Sequence, residues 1–164
     1  MDSWAVRLDD RRREAGRLLL AKTDELGFAA IGAGWFYHPE SGRWLFVLIT
    51  PMVDTKGPRW IYERLLRIFG KWGLPPGIAP LDIHLVSPSH MELVAAESDK
   101  PGVVEGVIEG AGGEPLDGAD AMVAGLSGSP MPAVLYRMIS KESVKAARDP
   151  SRQFDLRVRQ MLAA

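Results

Sequence analysis

The segment that most restricts the fold of this chain is residues 43–50, which read RWLFVLIT. On a strand, Leu45, Val47 and Ile49 would share one face, and three further apolar residues would occupy the other face. Strands that are apolar on both faces are typical of the interior of a sheet. We therefore expect a chain built around a sheet, with this strand covered on both sides.

The neighbouring segments predict the partners of this strand. Residues 28–37 read as a second strand, and the five residues between the two strands include a proline and a glycine, which suits a hairpin turn. Residues 58–72 have an apolar stripe at helical spacing, and residues 81–87 read as another strand. A strand, a helix and a strand in this order predict a parallel crossover.

The rest of the chain completes an α+β pattern. We expect helices at 4–26 and 140–148, strands at 103–108 and 133–139, and an irregular stretch rich in glycine and proline at 110–132. The sequence thus predicts one α+β domain over residues 1–150, with a mixed sheet of about five strands and helices packed on it. Residues 151–164 form a C-terminal segment, expected to be helical and to pack on the domain or on a partner chain. The predicted core comprises Ile31, Leu45, Phe46, Val47, Leu48, Ile49, Ile61, Leu65, Ile68, Ile83, Leu85, Val134 and Leu135.

Composition limits the class of protein. The chain has 164 residues, of which 46% are hydrophobic and 25% charged, values typical of one globular domain. It has no cysteine, which excludes disulfides and thiolate metal sites and fits a reducing compartment. No apolar run approaches the roughly 20 residues of a membrane span, and no signal peptide is evident. We expect a soluble, cytoplasmic protein that does not associate with membranes.

Charge is unevenly distributed along the chain, although the net charge is only −1. Residues 54–80 carry five bases and two acids, and residues 82–120 carry nine acids and one base. Residues 137–159 carry seven bases and three acids. This segregation indicates that surfaces of opposite sign could form once the chain folds.

The first candidate site joins histidine and carboxylate groups. Asp82 and His84 are two residues apart on the predicted strand, so they share a face, and His90 and Glu92 follow shortly after. Such groups can bind a divalent metal, but the spacing matches no specific metal motif. The ordinary alternative is a pair at a strand edge. In a central strand His84→Ala would destabilise the fold, and in an edge strand it would be nearly silent.

The second candidate is the basic side of the helix at 58–72. Arg64, Arg67 and Lys71 lie at helical spacing, with Trp60 one turn earlier, and could contact an anion or a nucleic acid. The same pattern is typical of the polar side of an amphipathic helix, where Glu63 can pair with Arg67. Because the net charge is close to zero, nucleic acid is not the expected partner.

Three further patterns do not define a site. The glycine-rich residues 109–114 lack the Lys-Ser/Thr ending of a phosphate-binding loop, and the sequence around Ser127 lacks the last glycine of a nucleophile elbow. Glu105 and Glu109 share a strand face but are about 13 Å apart, too far to bind one ion. We interpret these acidic residues as a solvated surface.

No complete catalytic set can be identified in the sequence, and we expect no cofactor. The favoured function is therefore a non-catalytic protein-interaction or accessory module that can self-associate, with a protein partner or a second copy of the chain bound to it. The C-terminal stripe of Phe154, Val158 and Met161 supports this, because a short helix needs a surface to bury against. The alternative is a small metal-dependent hydrolase or nuclease centred on Asp82 and His84.

Overall fold

A computed structural model describes residues 7–89, 118–124, 130–137 and 141–164. Its strands are β1 (Gly32–His38), β2 (Arg43–Ile49), β3 (Ile83–Val86), β4 (Ala119–Ala124) and β5 (Pro130–Arg137). Its helices are α1 (Asp10–Glu25), α2 (Met52–Thr55), α3 (Pro58–Trp72), α4 (Lys141–Ala146) and α5 (Ser151–Ala163), with a 3-10 turn at Pro80–Asp82. The predicted α+β class is confirmed. None of the described helices is both long and apolar enough to cross a membrane.

The strands form one mixed sheet of five strands in the order β3-β2-β1-β5-β4. β1 and β2 make the predicted antiparallel hairpin, and β2 and β3 are parallel, as the strand, helix and strand order predicts. β5 pairs antiparallel with both β1 and β4. This order places β3 at one edge of the sheet and β4 at the other.

The three long helices cover one face of the sheet. Every strand residue of the main hydrophobic core points to that face, including Trp35, Phe46, Leu48, Ile83 and Tyr136. The same core includes residues of each long helix, namely Ala15 and Leu19 of α1, Ile61, Leu65 and Ile68 of α3, and Phe154 and Val158 of α5. In the part of the chain that the structure describes, the fold is therefore a sheet with the three long helices on one face.

α1 lies very close to the sheet. Asp9 caps its first turn by accepting a hydrogen bond of 2.7 Å from the Arg12 N–H. The Trp35 indole donates a hydrogen bond of 3.0 Å to the Arg12 carbonyl, and the Tyr136 hydroxyl donates to the Arg13 carbonyl. These two side chains satisfy backbone groups of the helix and fix its height above β1 and β5.

The C-terminal helix α5 packs on α3. Phe154 is fully buried and makes an edge-to-face contact with Phe28, with ring centroids 5.3 Å apart, and a second contact with Trp60. The Asp149 carboxylate accepts a hydrogen bond of 2.9 Å from the Ser151 N–H at the start of the helix. Burial raises the pKa of Asp149, but hydrogen bonds from Ser151 and Thr55 and the nearby charge of Lys56 together lower this pKa overall.

The structure differs from the sequence predictions in two places. The prediction of an irregular stretch at 110–132 was wrong for the residues that the structure describes, because 119–124 forms β4 and β5 begins at Pro130. The small residues and prolines of these two segments have low strand propensity, so the sequence did not predict the strands. Pairing between the two segments stabilises them despite this low propensity. The first helix begins at Asp10 rather than at residue 4. The strand predicted at 103–108 lies outside the described residues.

Candidate functional site

Asp82 and His84 do not share a strand face. Asp82 belongs to the 3-10 turn before β3, where its carboxylate accepts a hydrogen bond of 2.9 Å from the Ala79 N–H and pairs with Arg43 at 3.0 Å. His84 lies on β3 with its side chain exposed. Of the two alternatives for this strand, the described part of the sheet shows β3 at the edge. Asp82 thus stabilises the 3-10 turn that leads into β3.

The other two candidate metal ligands, His90 and Glu92, lie outside the described residues. Among the residues that the structure does describe, no group of three or more histidine, aspartate or glutamate side chains could hold a metal ion. No observation on this part of the chain therefore favours a metal-dependent hydrolase or nuclease.

His84→Ala should change the free energy of unfolding by less than about 0.5 kcal/mol, because the side chain is exposed at the edge of the sheet. The measurement is the urea unfolding of both proteins, together with metal analysis of the purified wild type. A bound transition metal that is lost in His84→Ala would contradict this prediction and restore the metal site.

The three basic candidates on α3 have different roles. Arg64 donates to Asp155 of α5 at 2.8 Å, and its guanidinium lies 3.6 Å from the ring centre of Trp60. Lys71 donates to the Met161 carbonyl at 2.8 Å, while Arg67 is exposed. Glu63 pairs with Arg59 at 3.1 Å, whereas Arg67 was the expected partner. Two of the three predicted anion ligands thus hold the C-terminal helix in place.

The second face of the sheet is apolar and partly open. Strand pairing aligns Leu135, Gly34, Val47 and His84 in one row across four strands on this face. A Cβ on Gly34 would lie 2.8 Å from the Val134 carbonyl oxygen, so only glycine fits between the neighbouring strands here. Gly34 therefore leaves this position of the row without a side chain, and the Leu135 side chain packs over it.

This second face also carries Phe36, Leu45 and Val86, which like Val47 keep part of their side chains exposed. α1, α3 and α5 all lie on the opposite face. The prediction that both faces of β2 are covered therefore holds fully for the face toward these helices and in part for the second face, where Ile49 is buried and Leu45 and Val47 are partly buried. We call Phe36, Leu45, Val47 and Val86 the open-face residues.

A cleft of about 400 Å³ lies beside the first half of α1, lined by Asp10, Arg13, Glu14, Arg17 and Tyr136. Three of its charged groups, those of Arg13, Glu14 and Arg17, bind one another or the backbone. Arg17 donates to both carboxylate oxygens of Glu14, and this hydrogen bonding lowers the pKa of Glu14. Arg13 donates to the Gly118 carbonyl. These contacts engage three of the four charged side chains that line the cleft, and they join α1 to the start of β4.

A polar cluster that sequence reasoning missed lies at the carboxyl end of β3. The buried Ser87 hydroxyl lies 2.7 to 2.8 Å from both carboxylate oxygens of Asp54 and 2.7 Å from the Ser89 hydroxyl. Because Asp54 belongs to α2, these hydrogen bonds attach the segment after β2 to the end of the parallel neighbour β3. The sequence offers no motif for this pairing, since the residues are 33 positions apart.

Comparison with known proteins identifies no relative. No protein-family model, no curated protein and no solved structure matches this chain. The case for a function therefore depends on the surfaces described above.

Proposed function

We propose that this chain is a non-catalytic protein-interaction module of the cytoplasm that self-associates through the second face of its sheet. The observation that supports this most strongly is the set of open-face residues, four apolar side chains on the side opposite the helical layer. The four side chains are partly exposed and adjoin the buried Ile49 and Leu135 on the same face, and apolar surface left open to solvent marks sites of association. The absence of cysteine fits the reducing conditions of the cytoplasm.

The expected occupant of this face is a second copy of the chain. Sheets pack face to face about 10 Å apart, and a two-fold axis would place the same open-face residues on both sides of the interface. With a net charge of −1, two copies approach one another with little electrostatic repulsion.

The size of the face sets the expected strength of the contact. The four strands β1, β2, β3 and β5 have four to eight residues each, and they cover roughly 400 Å² in projection, from the ordinary spacing and rise of strands. A standard interface buries about 800 Å² of accessible surface per partner. Accessible surface follows the contours of the side chains, so it is larger than the projected area of the same face. The face is thus at the lower end of what a specific dimer needs, and we expect a reversible dimer.

Leu45→Glu should convert this dimer to a monomer without unfolding it, because Leu45 is only half-buried and lies outside the main core. Light scattering and sedimentation over a range of micromolar concentrations measure the change. Leu18→Glu is the matched control, since Leu18 is 41% exposed on α1, in the helical layer on the other side of the sheet.

Two results would contradict the proposal. The wild type could be monomeric over the whole concentration range. Alternatively, Leu45→Glu could leave the mass unchanged. A monomeric wild type whose unfolding free energy falls sharply in Leu45→Glu would show that the chain itself covers this face.

A further inference from the structure

The outer surface of α3 and α5 is strongly basic. The two helices together carry seven bases, namely Arg59, Arg64, Arg67, Lys71, Arg152, Arg157 and Arg159, and two acids, Glu63 and Asp155. Both acids are already engaged, since Glu63 binds Arg59 at 3.1 Å and Asp155 binds Arg64 at 2.8 Å and Arg159 at 3.0 Å. The bases therefore exceed the acids available to neutralise them.

Packing brings several of these charges onto one surface, whereas Arg157 donates to the Glu25 carbonyl of α1 at 2.8 Å. Trp60, Arg64 and Lys71 of α3 all contact α5, so this side of α3 faces the C-terminal helix. Arg67 follows Arg64 by three residues and precedes Lys71 by four, which places it on the same side of α3. Among the described residues Arg67 and Arg152 are exposed and have no carboxylate partner. We call the surface around the α3 and α5 contact the basic seam.

Apolar groups border this surface. Leu156 is 50% exposed on α5, and Leu66, one residue before Arg67 on the adjoining side of α3, is 47% exposed. Arg152, Leu156 and Arg159 follow at spacings of four and three, so they share one side of α5. Exposed leucines between arginines fit a partner with both apolar and acidic side chains.

We propose that the basic seam binds an acidic, leucine-bearing helical segment of a partner protein. The partner's carboxylates would pair with Arg67 and Arg152, and its apolar side chains would cover Leu66 and Leu156. This surface is separate from the open face of the sheet, so the proposal does not depend on self-association.

The contacts favour a protein over a nucleic acid. Trp60, the aromatic that could stack on a base, is covered by the Arg64 guanidinium and packs against Phe154. Arg64 and Lys71 are already committed to α5. Leu66 and Leu156 would gain nothing from a phosphate backbone, whereas they can bury apolar area against a peptide.

The test is fluorescence anisotropy with a labelled synthetic helical peptide built from glutamate and leucine, titrated with the full chain. We expect saturable binding that weakens as salt is raised, because exposed charges are screened. The double variant Arg67→Glu and Arg152→Glu should weaken binding by about tenfold or more, since it reverses two charges in the contact. Neither residue has a carboxylate partner among the described residues, so thermal unfolding should change little.

The control is Arg7→Glu, which reverses an exposed base before α1, at the end of that helix away from α5. It should leave peptide binding within about twofold of the wild type, as expected for a charge far from the contact. Leu66→Ala with Leu156→Ala should weaken binding without reducing its dependence on salt.

Three results would overturn the proposal. The peptide could fail to bind, or the double charge reversal could bind it as well as the wild type does. Tighter binding of a single-stranded oligonucleotide or an anionic lipid vesicle than of the peptide would assign the seam to that class of ligand instead.

Discussion

Phe154→Ala should lower the free energy of unfolding by about 3–5 kcal/mol, as expected for a fully buried phenylalanine. The ring contacts Phe28 in the loop after α1 and Trp60 on α3, so its removal leaves a cavity between this loop, α3 and α5. Since a domain of this size is stable by only about 5–15 kcal/mol, this one change removes a large part of the total. Urea unfolding followed by tryptophan fluorescence measures it.

Leu156→Ala is the matched control for Phe154→Ala. It lies two residues further along α5 and is 50% exposed, so it should change the free energy of unfolding by less than about 0.5 kcal/mol. Equal effects of the two substitutions would mean that Phe154 does not anchor α5 to the domain. A small effect of Phe154→Ala alone would contradict the packing described here.

Gly16→Ala should destabilise the fold by about 2 kcal/mol or more, although alanine is the better helix former by about 1 kcal/mol. A Cβ at this position would lie 2.6 Å from Trp35 Nε1, 2.8 Å from the Tyr136 hydroxyl oxygen and 2.9 Å from Phe46. These side chains cannot easily move away, because Trp35 and Tyr136 are held by hydrogen bonds to the carbonyls of α1. The added methyl therefore separates α1 from the sheet.

Gly70→Ala tests the same substitution without the crowding. Gly70 lies inside α3, and a Cβ there would meet nothing within 4 Å. We expect the free energy of unfolding to rise by about 0.5–1 kcal/mol, since only the helical propensity changes. Chemical unfolding of both variants should thus give changes of opposite sign. A Gly16→Ala variant as stable as Gly70→Ala would contradict the close packing of α1 on the sheet.

Several elements could be predicted because their determinants are local in the sequence. The hairpin of β1 and β2 follows from two apolar runs and a turn with a proline and a glycine, and α3 follows from one apolar stripe. The parallel pairing of β2 with β3 follows from the helix between them. The same patterns correctly predicted much of the buried core, including Phe46, Leu48, Ile61 and Ile83.

The candidate sites were less predictable, because charged residues choose partners that are distant in the chain. Arg64 looked like an anion ligand, yet its carboxylate partner Asp155 is 91 residues away. Gly16, in the same way, has no local signature. Its role appears only when Trp35, Phe46 and Tyr136 from three strands meet above it.

The sequence by itself determined the α+β class, the hairpin, the crossover and the amphipathic helices, because backbone propensity and hydrophobic periodicity are local properties. Among the described residues, the tertiary structure alone decided that β3 lies at the edge of the sheet and that α1, α3 and α5 lie on one face of it. It also decided which arginines are committed to α5 and which stay exposed in the basic seam. Strand order and ion pairing depend on contacts between residues far apart in the chain, and hydrophobic periodicity carries no information about such contacts.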